Sequence, residues 1–382
     1  MTFTAAEFYN VMVGVVPLYM AMLLGYGSLR WWKLVQVPEQ CVGIAQLNTY
    51  FLLPAYVCHF LAFNNPYNLS LHILAADFLS KAVLLCVLCA WALASSSLYS
   101  AKAAVARTSF DWVISIFMLA TLPNTVIVGI PLLQPMYGEI ALQGSICIIS
   151  AQFLFWYNVC IVLFEVRRDS TESSTTPTTV RHHRDQFEST TTCKLPEEIQ
   201  QVKRAGTSPD QAQLVGRFSM LHHVLKRVLF RLLRQPILYS SVLGFTYSLL
   251  ASRWGFNMPR IVESSLQILT NMTLGACMFI LGVFMASQPS LLPCGLWKTI
   301  GGMVIRFGVA PAIMAIASVA VGIRGNSLRF AITQAAFPQG IMTFVLAKEY
   351  NMHADIFATA VSFHTLIFLP FVLLYYVLLG ML

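Results

Sequence analysis

Thr121-Leu122-Pro123-Asn124-Thr125 interrupts an apolar run from Trp112 to Leu133, and Phe337-Pro338-Gln339-Gly340 interrupts a second run from Leu328 to Ala347. Each break sets a proline and then a carboxamide at the depth where a bilayer-spanning segment would have its middle. Proline inside a helix removes one backbone hydrogen bond and clashes with the carbonyl a turn earlier, so both breaks free amide and carbonyl groups. In hydrocarbon these groups are costly unless protein or a water-filled cavity receives them. Interrupted segments at corresponding places in the two halves of a chain are the pattern of a secondary-transporter binding site. Two unrelated proline kinks are the plainer reading of the same residues.

Working outward, the composition fixes the class. Of 382 residues, 57% are hydrophobic and only 10% charged, which excludes a soluble globule and predicts an all-α polytopic membrane protein. Ten apolar runs are long enough to cross a bilayer, at about 7–29, 40–62, 72–94, 111–133, 142–165, 236–251, 262–286, 298–321, 327–347 and 356–380. Five lie on each side of a polar gap. The expected organisation is a first five-helix repeat at 1–165, a cytoplasmic hydrophilic loop at 166–235 and a second five-helix repeat at 236–382. An odd number of crossings per repeat inverts the second repeat relative to the first, and the broken runs become the crossover helices four and nine. The first apolar run follows no basic segment and carries Glu7, so it is read as a retained span.

Arg30, Lys33, Lys102 and Arg107 follow the first and third runs, while the loops after the second and fourth carry no lysine or arginine. That bias places the N-terminus outside and the central loop in the cytoplasm. The loop is rich in Ser and Thr, as in Ser170-Thr171-Glu172-Ser173-Ser174-Thr175-Thr176, and reads as disordered. Its last part, Leu214 to Leu233, alternates Arg217, Lys226, Arg227 and Arg231 with large apolar residues, the pattern of a basic amphipathic helix on an anionic membrane face.

Ionisable residues inside spans mark functional candidates. Asp77 and Lys81, spaced i, i+4 in the third run, share one helix face and are placed to pair. The alternative is that both snorkel to the interface from the helix end. Arg306 in the eighth run is open to the same two readings, buried cation or headgroup-reaching side chain. Gln152, Tyr157 and Gln334 are polar groups in apolar helices, a class that most often joins helices to one another. No protease, hydrolase or phosphate-loop motif occurs, so no enzyme is expected. Nine cysteines, almost all in or beside apolar runs, give neither a disulfide framework nor a metal site. Neither a cofactor nor nucleic acid is expected as a partner.

Over both membrane halves the chain resembles the plant PIN-FORMED auxin efflux carriers of the short-loop type. The resemblance rests on Val16-Pro17-Leu18-Tyr19, Asn64-Asn65-Pro66-Tyr67, Leu74 to Lys81, Thr121 to Thr125 with Gly129-Ile130-Pro131-Leu132, and Met136-Tyr137-Gly138. In the second half it rests on Leu281 to Ala286, Gln334 to Ile341 and Ala347 to Asn351. It implies a ten-span inverted-repeat fold, a homodimer in the lipid bilayer, and uniport of the indole-3-acetate anion by an elevator-like alternating-access mechanism. It also implies the endoplasmic reticulum membrane, with the plasma membrane as the alternative. Residue by residue, Pro123 and Pro338 resemble the crossover prolines, and Asn124 the carboxamide at the auxin carboxylate. Ile127, Tyr157, Ile341 and Leu53 match positions lining the indole pocket, and Asp77, Lys81 and Gln152 a polar support site. Gln339 is expected to donate to the carboxylate from the other half. Asn48 to Tyr50, Asn271 and Thr343 depart from the family pattern. Two rival functions use the same architecture: a cation-coupled organic carboxylate symporter, and a non-transporting membrane protein that binds auxin.

Overall fold

The computed structural model describes residues 5–35, 39–68, 70–98, 103–172, 225–290 and 292–381. Most of the central loop, including 214–224 of the expected amphipathic stretch, lies outside them. All ten expected runs are helical, and the described residues contain no strand beyond one isolated backbone bridge. Among the described residues seven helices are long and apolar enough to cross a membrane, and the protein is an all-helical polytopic membrane protein. The first, third, seventh and tenth spans are single helices, Ala5–Arg30, Leu71–Leu98, Arg260–Ser287 and Ala354–Met381. The sixth is Pro236–Trp254. The fourth and ninth spans are the two broken ones. Ala103–Thr121 stops at the Leu122-Pro123-Asn124 break and resumes as Thr125–Gly129 and Ile130–Tyr137; Gly325–Ala335 stops before Phe337-Pro338 and resumes as Ile341–Glu349.

Four spans carry an internal π-turn: Asn48–Leu52 in the second, Thr125–Gly129 in the fourth, Gln152–Trp156 in the fifth and Val304–Val309 in the eighth. Three of these have a proline just beyond them, Pro54, Pro131 and Pro311. Each proline removes an amide and repels the carbonyl four residues back, so the ladder widens by one residue instead of breaking. One displaced carbonyl is accounted for directly, because Tyr375 Oη donates to Phe307 O, four residues before Pro311, at 2.6 Å. The fifth span lacks a proline there. Its π-turn is held by Asn158, whose Nδ2 donates to Phe153 O at 3.1 Å and Leu154 O at 3.0 Å, a side chain inserted into the ladder.

The described chain forms two compact units, Met1–Cys160 with Gln235–Leu382, and Ile161–Arg234. In the first unit the first span packs along the seventh and the sixth along the second, while the third packs on the eighth. Close backbone approach sets two of these contacts. A Cβ on Gly282 would lie 1.9 Å from Met22 O, and one on Gly244 would lie 2.6 Å from Cys58 O. Only glycine permits both crossings. In the second unit, the end of the fifth span presents Glu165 and Asp169 to a short helix at 225–232. Arg231 bonds Glu165 at 3.3 Å, and Arg227 pairs with Asp169. At least those two arginines of the expected basic helix are engaged by carboxylates, while Leu225, Leu229, Phe230 and Leu233 are exposed.

Candidate functional site

Where the two breaks meet, the chains run antiparallel. Pro123 and Gln339 form the isolated bridge, and Asn124 N donates to Pro338 O at 2.8 Å. One backbone bond freed by each proline is thus spent on the other break. The crossing leaves two half-helix N-termini and two half-helix C-termini close together. At the first N-terminus the earliest intrahelical bonds are those of Val128 and Gly129 to Asn124 O, at 3.3 and 3.2 Å. The amides of Thr125, Val126 and Ile127 therefore stand in the unpaired first turn. At the second, Thr343 N bonds Gly340 O at 3.1 Å, leaving Ile341 and Met342 in that position.

Both N-termini face one partly open cavity, whose free space of about 530 Å³ includes its mouth. Leu53, Asn124, Ile127, Tyr157 and Ile341, five of the six residues expected to bind substrate, line it together with Pro123. Asn124 makes no side-chain cap to the helix it precedes. Gln152, expected at the support site, instead lines this cavity, and its Nε2 holds Pro123 O at 3.1 Å. Asn48 and Thr343, two of the departures from the family pattern, are in the same wall. No arginine, lysine, aspartate or glutamate is among the lining residues.

The C-termini face a second cavity of about 400 Å³ that shares Pro123 with the first. Asp77 and Lys81 line it, buried at 4% and 5% exposure, with Lys81 Nζ 2.8 and 2.9 Å from the two carboxylate oxygens. They pair inside the protein and do not snorkel. Trp156 Nε1 donates to Asp77 Oδ2 at 3.1 Å, a partner the sequence did not single out. Gln339 lies outside both linings. Its Nε2 donates to Met118 O at 3.2 Å and to Leu119 O, the carbonyls that end the first half-helix. Gln334 Nε2 reaches Thr125 Oγ1 at 2.5 Å and so ties the two breaks together. Pro338 sits within the crossing and offers its carbonyl to Asn124, away from either cavity.

Comparison with known proteins decides the family. Residues 10–376 match the family described as membrane transport protein. A rice protein (Oryza sativa subsp. japonica) named "probable auxin efflux carrier component 9" is 35% identical, with 99% of this chain and 100% of the relative covered. "Auxin efflux carrier component 5" of Arabidopsis thaliana is 36% identical over 370 residues, covering 97% of each. The chain belongs to the auxin efflux carrier family of membrane transport proteins. It is a transporter and not an enzyme, a multi-pass membrane protein of the short-loop length.

Sequence reasoning leaves open the role of Arg306, the largest fully buried side chain among the described residues. Arg306 is fully buried against the crossing, donating through Nε to Phe337 O and through Nη1 to Ala120 O at 2.7 Å and Leu119 O at 3.2 Å. An arginine in an apolar run signals only that a compensating partner exists. Here the partners are backbone carbonyls freed by breaks in other spans, which the residues around Arg306 do not announce.

Proposed function

We propose that this transporter exports auxin, the indole-3-acetate anion, by uniport through the crossover. The observation that carries the reading is the first cavity. Two half-helix N-termini, each with about half a positive charge from its dipole and unpaired amides, converge on it, and its lining includes no formal charge. A carboxylate docks on the amides with Asn124 donating, while Leu53, Ile127, Ile341 and Tyr157 receive the aromatic ring. A carrier that couples a cation through side-chain carboxylates would need them open near the crossing. The one carboxylate lining the second cavity, Asp77, is closed by Lys81.

Alternating access then moves the crossing as one body relative to the first, second, sixth and seventh spans. Two inverted five-span repeats account for the packing: advancing or retreating five spans turns the first-on-seventh contact into the sixth-on-second contact. Repeat limits at 1–165 and 236–382 fit the two sets of spans. A homodimer in the endoplasmic reticulum membrane completes the proposal, supported by the short loop and the family resemblance; cross-linking in native membranes and imaging of the tagged protein test these two points. Export of radiolabelled indole-3-acetate from expressing oocytes tests the function. Flux above uninjected cells that Asn124→Ala lowers at sub-saturating substrate is expected; absence of wild-type flux at verified surface abundance overturns the reading.

A further inference from the structure

Three positively disposed groups lie near the crossing: the two half-helix N-termini, already assigned to substrate, and the guanidinium of Arg306 on the opposite face. The C-terminal ends there carry about half a negative charge each. Backbone amides close Met118 O, Thr333 O and Gln334 O, at 3.3, 3.1 and 3.3 Å, while Leu119 O, Ala120 O and Phe337 O, the last just beyond the second half-helix, are met by side chains. Gln339 satisfies Met118 O and Leu119 O; Arg306 satisfies Leu119 O, Ala120 O and Phe337 O, taking carbonyls from both broken spans. The sum of the two dipole ends is about one negative charge, matched by one guanidinium. Lys81 does not serve this purpose. Its ammonium sits on both oxygens of Asp77, so that pair is neutral by itself.

We propose that Arg306 is a built-in counter-cation for the crossover, filling with a side chain the cage of carbonyls that a transported or coupling cation would otherwise occupy. It is a positioning residue: it holds the two C-termini together and so sets the spacing of the two N-termini on the substrate face. This rests on the crossing being the transport centre. Three convergent carbonyls from two broken spans are a ligand set for a monovalent cation as well as for guanidinium, with water completing the shell. Arg306 Nη2 has no hydrogen-bond partner, and Arg306 lines the second cavity, so removing the side chain opens the cage toward space already present.

The test compares Arg306→Ala and Arg306→Lys with wild type at matched membrane abundance. Arg306→Ala is expected to lose export at least about tenfold, the equivalent of one charge-assisted hydrogen bond. Millimolar guanidinium, or sodium replacing a bulky organic cation, is expected to restore part of that flux in the variant and to leave wild type unchanged. The same ions raise the melting temperature of the purified Ala variant alone. Wild-type export by Arg306→Ala, or a loss that neither ion restores in flux or in melting temperature, overturns the proposal, because an ordinary core arginine behaves that way. Should the Ala variant not accumulate, Arg306→Lys carries the test: it keeps the charge and is expected to export within about an order of magnitude of wild type without added cation. Its complete loss of export overturns the proposal. The melting arm needs no substrate, so it stands or falls separately from the export of auxin.

Discussion

On one face of the crossing, backbone amides of Thr125 to Ile127 and of Ile341 and Met342 look into a cavity whose lining holds no formally charged side chain; on the other, Arg306 holds backbone carbonyls and Lys81 pairs with Asp77 in one cavity wall. The same two prolines create both faces, since every broken helix ends in free carbonyls and restarts in free amides. What differs is who answers them. The carbonyl face is satisfied permanently, by Arg306 and Gln339, and is neutralised inside the protein. On the amide face the first-turn amides have no intrahelical acceptor, and in the proposed mechanism that asymmetry makes the site receptive to an anion without a fixed arginine to trap it. An arginine on the amide face would bind a carboxylate more tightly and release it more slowly, a poor exchange for a carrier.

The comparison is broken most severely by stripping the charged face. Lys81→Ala strands Asp77 in a buried site, a change that costs about 3–5 kcal/mol or forces the carboxyl to take up a proton. Most flux should disappear, and the double variant Asp77→Asn with Lys81→Ala should recover part of it. Normal transport by Lys81→Ala, at wild-type surface level, means that the pair has no part in supporting the crossing.

On the amide face, Asn124→Ala removes one hydrogen bond to a charged ligand, worth about 1.5–3 kcal/mol, so half-saturation for indole-3-acetate should rise by about ten- to a hundredfold. Melting temperature should hardly move. A smaller change sharpens the boundary between the faces. Gln339→Ala removes one donor each from Met118 O, which keeps Leu122 N, and Leu119 O, which keeps Arg306, and should lower stability by about 0.5–1.5 kcal/mol, with affinity for the anion nearly unchanged. If affinity falls and stability holds, Gln339 belongs with the substrate after all. Smallest of all, Thr343→Val in the cavity wall should alter preference among auxins by less than about tenfold, read from competition for labelled flux.

Much of this was legible before any coordinates. Proline in an apolar run reports a broken helix wherever it falls, so both breaks and all ten helical stretches could be read, as could the i, i+4 pairing of Asp77 with Lys81. Side-chain direction within a break could not. Outside regular helix no periodicity tells which way Gln339 turns, and it caps the carbonyls instead of lining the cavity. Gln152 shows a related effect: the π-turn at Gln152–Trp156 changes the angular spacing, so Gln152 lines the first cavity while Trp156 reaches Asp77. Arg306 needs carbonyls from two other spans to explain it, a long-range fact that no local pattern holds.

The central claim is that backbone amides, and no cationic side chain, select the anion. Competition against labelled indole-3-acetate export by unlabelled indole-3-acetate and by its neutral amide tests it most directly, because the two differ at the carboxylate and share the ring. The account predicts that the amide competes at least about tenfold more weakly in wild type, and that Asn124→Ala narrows the gap by weakening the acid alone. Equal competition by acid and amide would contradict it.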